Sequence, residues 1–138
     1  MIKLIILDVD GTLTKGGILI GNSGEEFKEF NVKDGYMIAS ARKKCGKIFA
    51  IITGRNSKIV SIRAKELGIT HLYQGIDDKI VVYEQLKKEL NITDEETAYI
   101  GDDLNDFEVM KRVGLVGAPA DACREILETA DFVSSKNG

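Results

Sequence analysis

The sequence predicts an α/β fold with a mostly parallel sheet, and three observations carry that prediction. Short apolar runs alternate with helix-like segments along most of the chain, the order expected of repeated βα units. Glycines stand just past three of the helix-like segments, at Gly46, Gly68 and Gly114, where a left-handed C-cap suits glycine best. With 138 residues, 43% hydrophobic and 30% charged, the chain fits a single domain spanning 1–138 and has no room for a second of full size.

Taken in order, the first apolar run, at 3–7, reads as a buried strand that ends in "DVDGT". The alternation then breaks at "KGGILIGNSGEEFKEFNV", where two short apolar or alternating runs flank "GNSG". This is a β-hairpin pattern, placed at about 17–31, and it should project from the C-terminal edge of the sheet. Regular alternation resumes with a helix at 34–45, a strand at 47–52, a helix at 58–67, a strand at 71–73 and a helix at 79–90. Strands at 98–100, 114–116 and a short one at 132–133 follow, with helices at 106–113 and 121–129 between them and Pro119 in a loop.

Composition excludes several function classes. The net charge is −3 with no lysine or arginine block, so neither a nucleic-acid footprint nor a membrane-surface footprint is present. No apolar run approaches the roughly 18 residues that span a bilayer, and "MIKLIIL" runs straight into Asp8 rather than a cleavage site. Two distant cysteines, Cys45 and Cys123, suit a reduced, cytoplasmic chain. A single histidine, His71, leaves too few parts for a histidine-rich zinc site or a serine–histidine triad. Any chemistry must come from acidic residues and one or two lysines.

Those residues gather where an open α/β sheet binds ligands, outside the carboxyl ends of its strands. The first strand delivers "DVDGT", the second "TGRNS", the helix after "YQGIDD" begins with Lys79, and the fourth strand delivers "GDDLND". In extended backbone, residues two apart share a side, so Asp8 and Asp10 crowd one spot and call for a cation between them. Asp8, Asp10, Asp102, Asp103 and Asp106 form an all-oxygen donor set, which suits magnesium. Gly11, Gly54 and Gly101 leave backbone amides open to an anion, and Thr53 and Lys79 add a hydroxyl and an ammonium. Cation, donors and ammonium together describe a phosphate site. Within it a carboxylate can attack phosphorus, which makes Asp8 the candidate nucleophile. Asp10 is then the candidate acid and base for leaving group and water.

The segments "LDVDGTLT", "ITGR", Lys79 and "GDDLND" resemble the four motifs of the haloacid dehalogenase superfamily of phosphohydrolases. The resemblance implies a Rossmann-like three-layer sandwich, magnesium as cofactor and an aspartyl-phosphate intermediate. Position by position, it implies Asp8 as nucleophile, Asp10 as acid/base with its backbone carbonyl on the metal, and Asp102 as metal ligand. It further implies Thr53 and Lys79 as phosphate holders, with Asp103 and Asp106 at the metal or supporting its ligands. "FNVKDGYMI", "TGRNSKIVSIRAKELGI", "YQGIDDK", "YIGDDLNDFEVMKRVGL" and "ADFVSSKNG" are similar to the 3-deoxy-D-manno-octulosonate 8-phosphate phosphatases, a family serving lipopolysaccharide precursor synthesis.

That narrower likeness implies no large cap domain, a homotetramer with the hairpin packed between subunits, and a sugar-acid phosphate as substrate. One hairpin and one helix fill the gap from Asp8 to Thr53, which agrees with a missing cap. Arg55 and Arg63 are the candidates for the sugar acid's carboxylate, through forked hydrogen bonds. Thr12 and Met37 stand where the family commonly has valine and glycine, and this sequence stops at Gly138 where relatives continue into a glycine-rich tail. The departures bear on substrate choice more than on hydrolysis. A nine-carbon sugar-acid phosphate or a broad set of small phosphomonoesters is the alternative substrate. From another class, a receiver-type module that stores phosphate also has an acidic cluster, a threonine and a lysine. Here, however, the second strand ends "IITGR" without a carboxylate, and Asp10 supplies the acid/base that storage does not need.

Overall fold

The computed structural model describes residues 1–138. Six strands form one sheet: β1 (Leu4–Leu7), β4 (Ile48–Ile52), β5 (His71–Tyr73), β6 (Thr97–Ile100), β7 (Leu115–Ala118) and β8 (Phe132–Val133). They lie in the order β5-β4-β1-β6-β7-β8, and every neighbouring pair is parallel. The remaining strands, β2 (Leu19–Ile20) and β3 (Glu26–Phe27), form the expected antiparallel hairpin, with Leu19 opposite Phe27 and Ile20 opposite Glu26.

A parallel sheet is covered on both faces, and the strand sequences show why this one is. In β1, Leu4 and Ile6 point to one face and Leu7 to the other; in β4, Ala50 and Ile52 oppose Phe49 and Ile51. The first face meets Tyr83 and Leu86 of α3 (Lys79–Leu90), Val109 and Met110 of α4 (Phe107–Met110), and Ile126 of α5 (Arg124–Thr129). The second meets Ile38 of α1 (Val32–Cys45) and Val60, Ala64 and Leu67 of α2 (Lys58–Leu67). Two separate cores on one sheet make the three-layer sandwich. No helix is long and apolar enough to cross a membrane.

This topology fixes the site. The chain builds outward from β1 through β4 to β5, then returns through α3 to place β6 on the other flank of β1. Connections therefore leave β1 and enter β6 on opposite faces, and a crevice opens at their carboxyl ends.

Several boundaries differ from expectation, each for a local reason. Helix α1 starts at Val32 rather than 34 because the Asn31 side chain accepts the Lys33 N–H at 2.8 Å and so caps it earlier. The helix expected at 106–113 is a 3-10 turn at Leu104–Asp106 followed by the single turn of α4. Helix α5 begins at Arg124 rather than 121, since residues just before it are committed elsewhere: Cys123 N–H donates to the Asp102 carbonyl at 2.8 Å.

Gly46 and Gly68 take the left-handed C-cap conformation as expected, with φ of 64° and 71°. Gly114 does not, because the helix before it has already ended; its lack of a side chain serves close packing instead. Its N–H donates to the Asp94 and Thr97 carbonyls, and an added Cβ would sit 2.7 Å from the Glu95 carbonyl oxygen. Gly114→Ala is therefore expected to destabilise the protein by about 1–3 kcal/mol through overpacking against backbone. A lowered urea midpoint at unchanged slope would register it, and an unchanged midpoint would count against the packing account.

Candidate active site

Each of the expected segments reaches the crevice. Asp8 follows β1, its N–H donating to the Ile100 carbonyl of β6 at 3.0 Å, and only 5% of the residue is exposed. Asp10 stands two residues on, at the start of a turn closed by Gly11 and Thr14, where the Gly11 N–H donates to the Thr14 hydroxyl. Thr53, Gly54 and Arg55 follow β4, and Asp102, Asp103 and Asn105 follow β6. Together with Asp8 and Asp10 these residues line a cleft of about 180 Å³ whose wall carries no hydrophobic residue.

Behind Asp8 lies a buried ionic cluster. Lys79, the first residue of α3, is 2% exposed and directs its ammonium to Asp8 Oδ1 at 3.0 Å and Asp106 Oδ1 at 2.7 Å. Asp106 also accepts from the Tyr99 hydroxyl and from the backbone N–H groups of Asp102 and Asp103. Its acceptor capacity is thus spent on holding Lys79 and the Gly101–Asp103 turn, leaving it to support the site from behind. Asp103, exposed, caps the same turn by accepting the Leu104 N–H.

The electrostatics follow from this crowding. Burial raises the Asp8 pKa, and the nearby Asp106 charge adds to the rise while Lys79 opposes it. Burial likewise works against the charged form of Lys79, yet Asp8 and Asp106 outweigh it and raise its pKa, so the ammonium stays charged. Asp102 is pushed up to about 7 by its burial and by Asp8 beside it. Two carboxylates that repel this strongly are short of a positive charge. Carboxylate oxygens of Asp8, Asp102 and Asp106 lie within 4.8 Å of one another, and a Cβ on Gly11 would fall 2.0 Å from Asp102 Oδ2. The hard oxygen donors and the glycine that gives them room fit a magnesium ion held by Asp8 and Asp102.

Two residues absent from the expected set, Lys28 and Glu26, pack against Asp10 and Arg55 at the cleft. Lys28, beyond β3 of the hairpin, donates to Asp10 Oδ1 at 2.5 Å and lies 3.0 Å from Glu26 Oε1. Burial would push the Lys28 pKa down, but these two carboxylates hold it above the ordinary lysine value. Arg55 comes within 4.0 Å of Asp10 and 3.6 Å of Glu26. The alternation of Glu26, Phe27 and Lys28, polar on one side and apolar on the other, is the sequence signal that could have found them. Thr12 stands at 3.5 Å from Asp102 Oδ1, its hydroxyl donating. Arg63 is not brought to the cleft of its own chain: its guanidinium stacks over Phe30, donates to the Asn31 carbonyl and pairs with Glu66.

A sequence profile of haloacid dehalogenase-like hydrolases matches residues 21–138. The chain belongs to the haloacid dehalogenase-like hydrolase family. Among hydrolases of this family, it is 50% identical to the 3-deoxy-D-manno-octulosonate 8-phosphate phosphatase of Escherichia coli over 133 residues, covering 96% of this chain and 70% of that protein. The crystal structure of the 3-deoxy-D-manno-octulosonate 8-phosphate phosphatase from Yersinia pestis matches with a TM-score of 0.96 and 50% identity, over 99% of this chain and 74% of that one. The Moraxella catarrhalis phosphatase, crystallised with magnesium, phosphate and KDO, matches with a TM-score of 0.94 and 43% identity, over 99% and 78% of the two chains.

Two outcomes follow from the charge balance. Because folding raises the Asp102 pKa from 3.8 to about 7, the metal-free protein binds that proton more tightly than the unfolded chain does. The associated stability is complete below the unfolded value and is lost as pH rises through about 7. The melting temperature of the metal-free protein is expected to fall between about pH 5 and pH 8, with magnesium raising it more at the higher pH. Equal magnesium shifts at both would speak against Asp102 as a ligand. Second, Lys79→Met strands two buried carboxylates and is expected to cost about 3–5 kcal/mol near neutral pH, read by denaturant unfolding.

Proposed function

We propose that this hydrolase is a magnesium-dependent phosphatase that releases phosphate from 3-deoxy-D-manno-octulosonate 8-phosphate through an aspartyl-phosphate on Asp8. The observation that carries the reading is Asp8 itself: a buried carboxylate facing a wholly polar cleft, with Lys79 on one oxygen and Asp10 beside it. The named activity of the relatives at 50% identity supplies the substrate.

Lys79 occupies Asp8 Oδ1, which leaves Oδ2 to attack phosphorus. As the phosphorus–oxygen bond of the ester breaks, Asp10 gives its proton to the departing alkoxide. Asp10 then takes a proton from a water that attacks the aspartyl-phosphate, releasing inorganic phosphate and restoring the Asp8 carboxylate. Magnesium, held by the Asp8 and Asp102 carboxylates and the Asp10 backbone carbonyl, would supply neutralisation of the phosphoryl charge. The Thr53 hydroxyl, the Gly54 amide and Lys79 bind the phosphoryl oxygens in this reading, and Arg55 at the cleft wall meets the sugar acid's carboxylate. Asp103 and Asp106 keep the Asp102 turn in place. Arg63 remains a candidate for the sugar acid only from outside its own chain's cleft.

The hairpin supports a homotetramer. Leu19, Ile20 and Phe27 are 64%, 68% and 56% exposed, and Val32, Tyr36 and Met37 at the start of α1 extend the apolar surface. A second copy of this chain covering that surface would bury it. The two free cysteines, Cys45 and Cys123, support the cytoplasm as the site of action in this reading.

Phosphate release from 3-deoxy-D-manno-octulosonate 8-phosphate, against a panel of sugar phosphates and with and without magnesium, tests the reading. Selective, magnesium-dependent release is expected; release of equal rate across the panel would remove the substrate assignment. Asp8→Asn is expected to abolish turnover while leaving fold and oligomer intact, checked by phosphate release beside light scattering. Retained hydrolysis would displace Asp8 as nucleophile.

A further inference from the structure

The hairpin brings a side chain against Asp10, which lines the cleft. Lys28 has no accessible side-chain surface, and its ammonium meets Asp10 Oδ1 at 2.5 Å and Glu26 Oε1 at 3.0 Å. The contact to Asp10 is a charge-assisted hydrogen bond and that to Glu26 an ion pair, and the two carboxylates stand on different parts of the chain: Asp10 in the turn after β1, Glu26 in β3. The extended backbone here sends Glu26 and Lys28 toward Asp10 and Arg55 and leaves Phe27, between them, exposed on the other side. Asp10 otherwise has little to hold it. The only other cation paired with it is Arg55, whose Nε is 4.0 Å from Oδ2, beyond a direct hydrogen bond.

We infer that Lys28 is a positioning residue for Asp10: by holding Oδ1 it fixes the carboxylate plane and leaves Oδ2 directed into the cleft for proton transfer. The inference rests on the assignment of Asp10 as acid and base made above, and it adds the hairpin to the machinery of proton transfer. A carboxylate that must serve first the leaving group and then the attacking water gains from a fixed rotamer, since a misplaced donor or acceptor forfeits much of its effect.

The role predicts an unusual kinetic signature. In a two-step reaction through a covalent intermediate, kcat/KM reports the steps up to departure of the leaving group, whereas kcat also reports hydrolysis of the intermediate. An alkyl phosphate needs the proton from Asp10 for departure; p-nitrophenyl phosphate, with its stable leaving group, scarcely does. For Lys28→Met the alkyl substrate is expected to lose about tenfold or more in kcat/KM. The aryl substrate is expected to keep its kcat/KM while kcat and KM fall together, because only hydrolysis of the intermediate is slowed.

The test compares the wild-type protein, Lys28→Met and Lys28→Arg on both substrates, with magnesium affinity measured by calorimetry. Lys28→Arg, which keeps a cation on Asp10, is expected to recover most of the alkyl activity, and magnesium affinity is expected to stay within about twofold in both variants. Equal kcat/KM losses on the two substrates, or a magnesium defect large enough to account for the loss, would overturn the positioning role while leaving the phosphatase reading intact. A wild-type protein inactive on both substrates would remove that reading and the inference with it.

Discussion

The site depends on one buried cation of the protein's own. Lys79 sits where α3 begins, and its ammonium joins Asp8 after β1 to Asp106 after β6. Two buried carboxylates this close repel, and the shared ammonium between them offsets that repulsion. Every further requirement follows from that tie. Asp106 can hold Lys79 because Tyr99 and two backbone N–H groups fix it in turn, and the backbone that supplies those N–H groups is the one presenting Asp102 to the cleft. Asp8, Lys79 and the turn that carries Asp102 are thereby one connected unit rather than three loops that happen to meet.

The sheet order explains why these groups arrive together. Asp8, Thr53 and Asp102 each follow a strand by one or two residues, and those strands are adjacent and parallel, so their carboxyl ends form one rim. The hairpin is the one element outside this scheme. It leaves the rim through the turn after Asp10 and folds back to meet it, so an insertion of modest size sets Lys28 against Asp10 and Glu26 against Arg55.

Much of this was legible in the sequence because the signals were local. Strand-ending carboxylates, glycines at close approaches and a lysine opening a helix are each readable from a few residues, and a shared rim follows from the βα alternation. What escaped was set by tertiary contact. Gly114 looks like a helix cap in sequence, but the helix ends early and the glycine instead admits the backbone of Glu95. Asp106 reads in sequence as either at the metal or supporting its ligands, and its four partners show which of its lone pairs are committed. Lys28 lies in a segment whose period-two pattern fixes which residues share a side, but not that this side turns back over Asp10. Arg63 is a candidate for the sugar acid by its side-chain type alone, and tertiary contact places it over Phe30.

The central place of β1 has a consequence for how the chain comes together. Leu7 pairs with Ile51 on one side and with Ile100 on the other, so the second partner of the strand arrives only after most of the sequence has been made. Until β6 docks, β1 is an edge strand with apolar side chains on both faces and an unpaired ladder, a form prone to pairing with another chain. Non-local parallel pairing of this kind also folds slowly. The aspartates just past Leu7 place fixed negative charge at the end of that exposed edge, and like charges on two such edges repel. The residues that would bind magnesium in the finished protein thus also guard its most vulnerable strand while the chain is still incomplete.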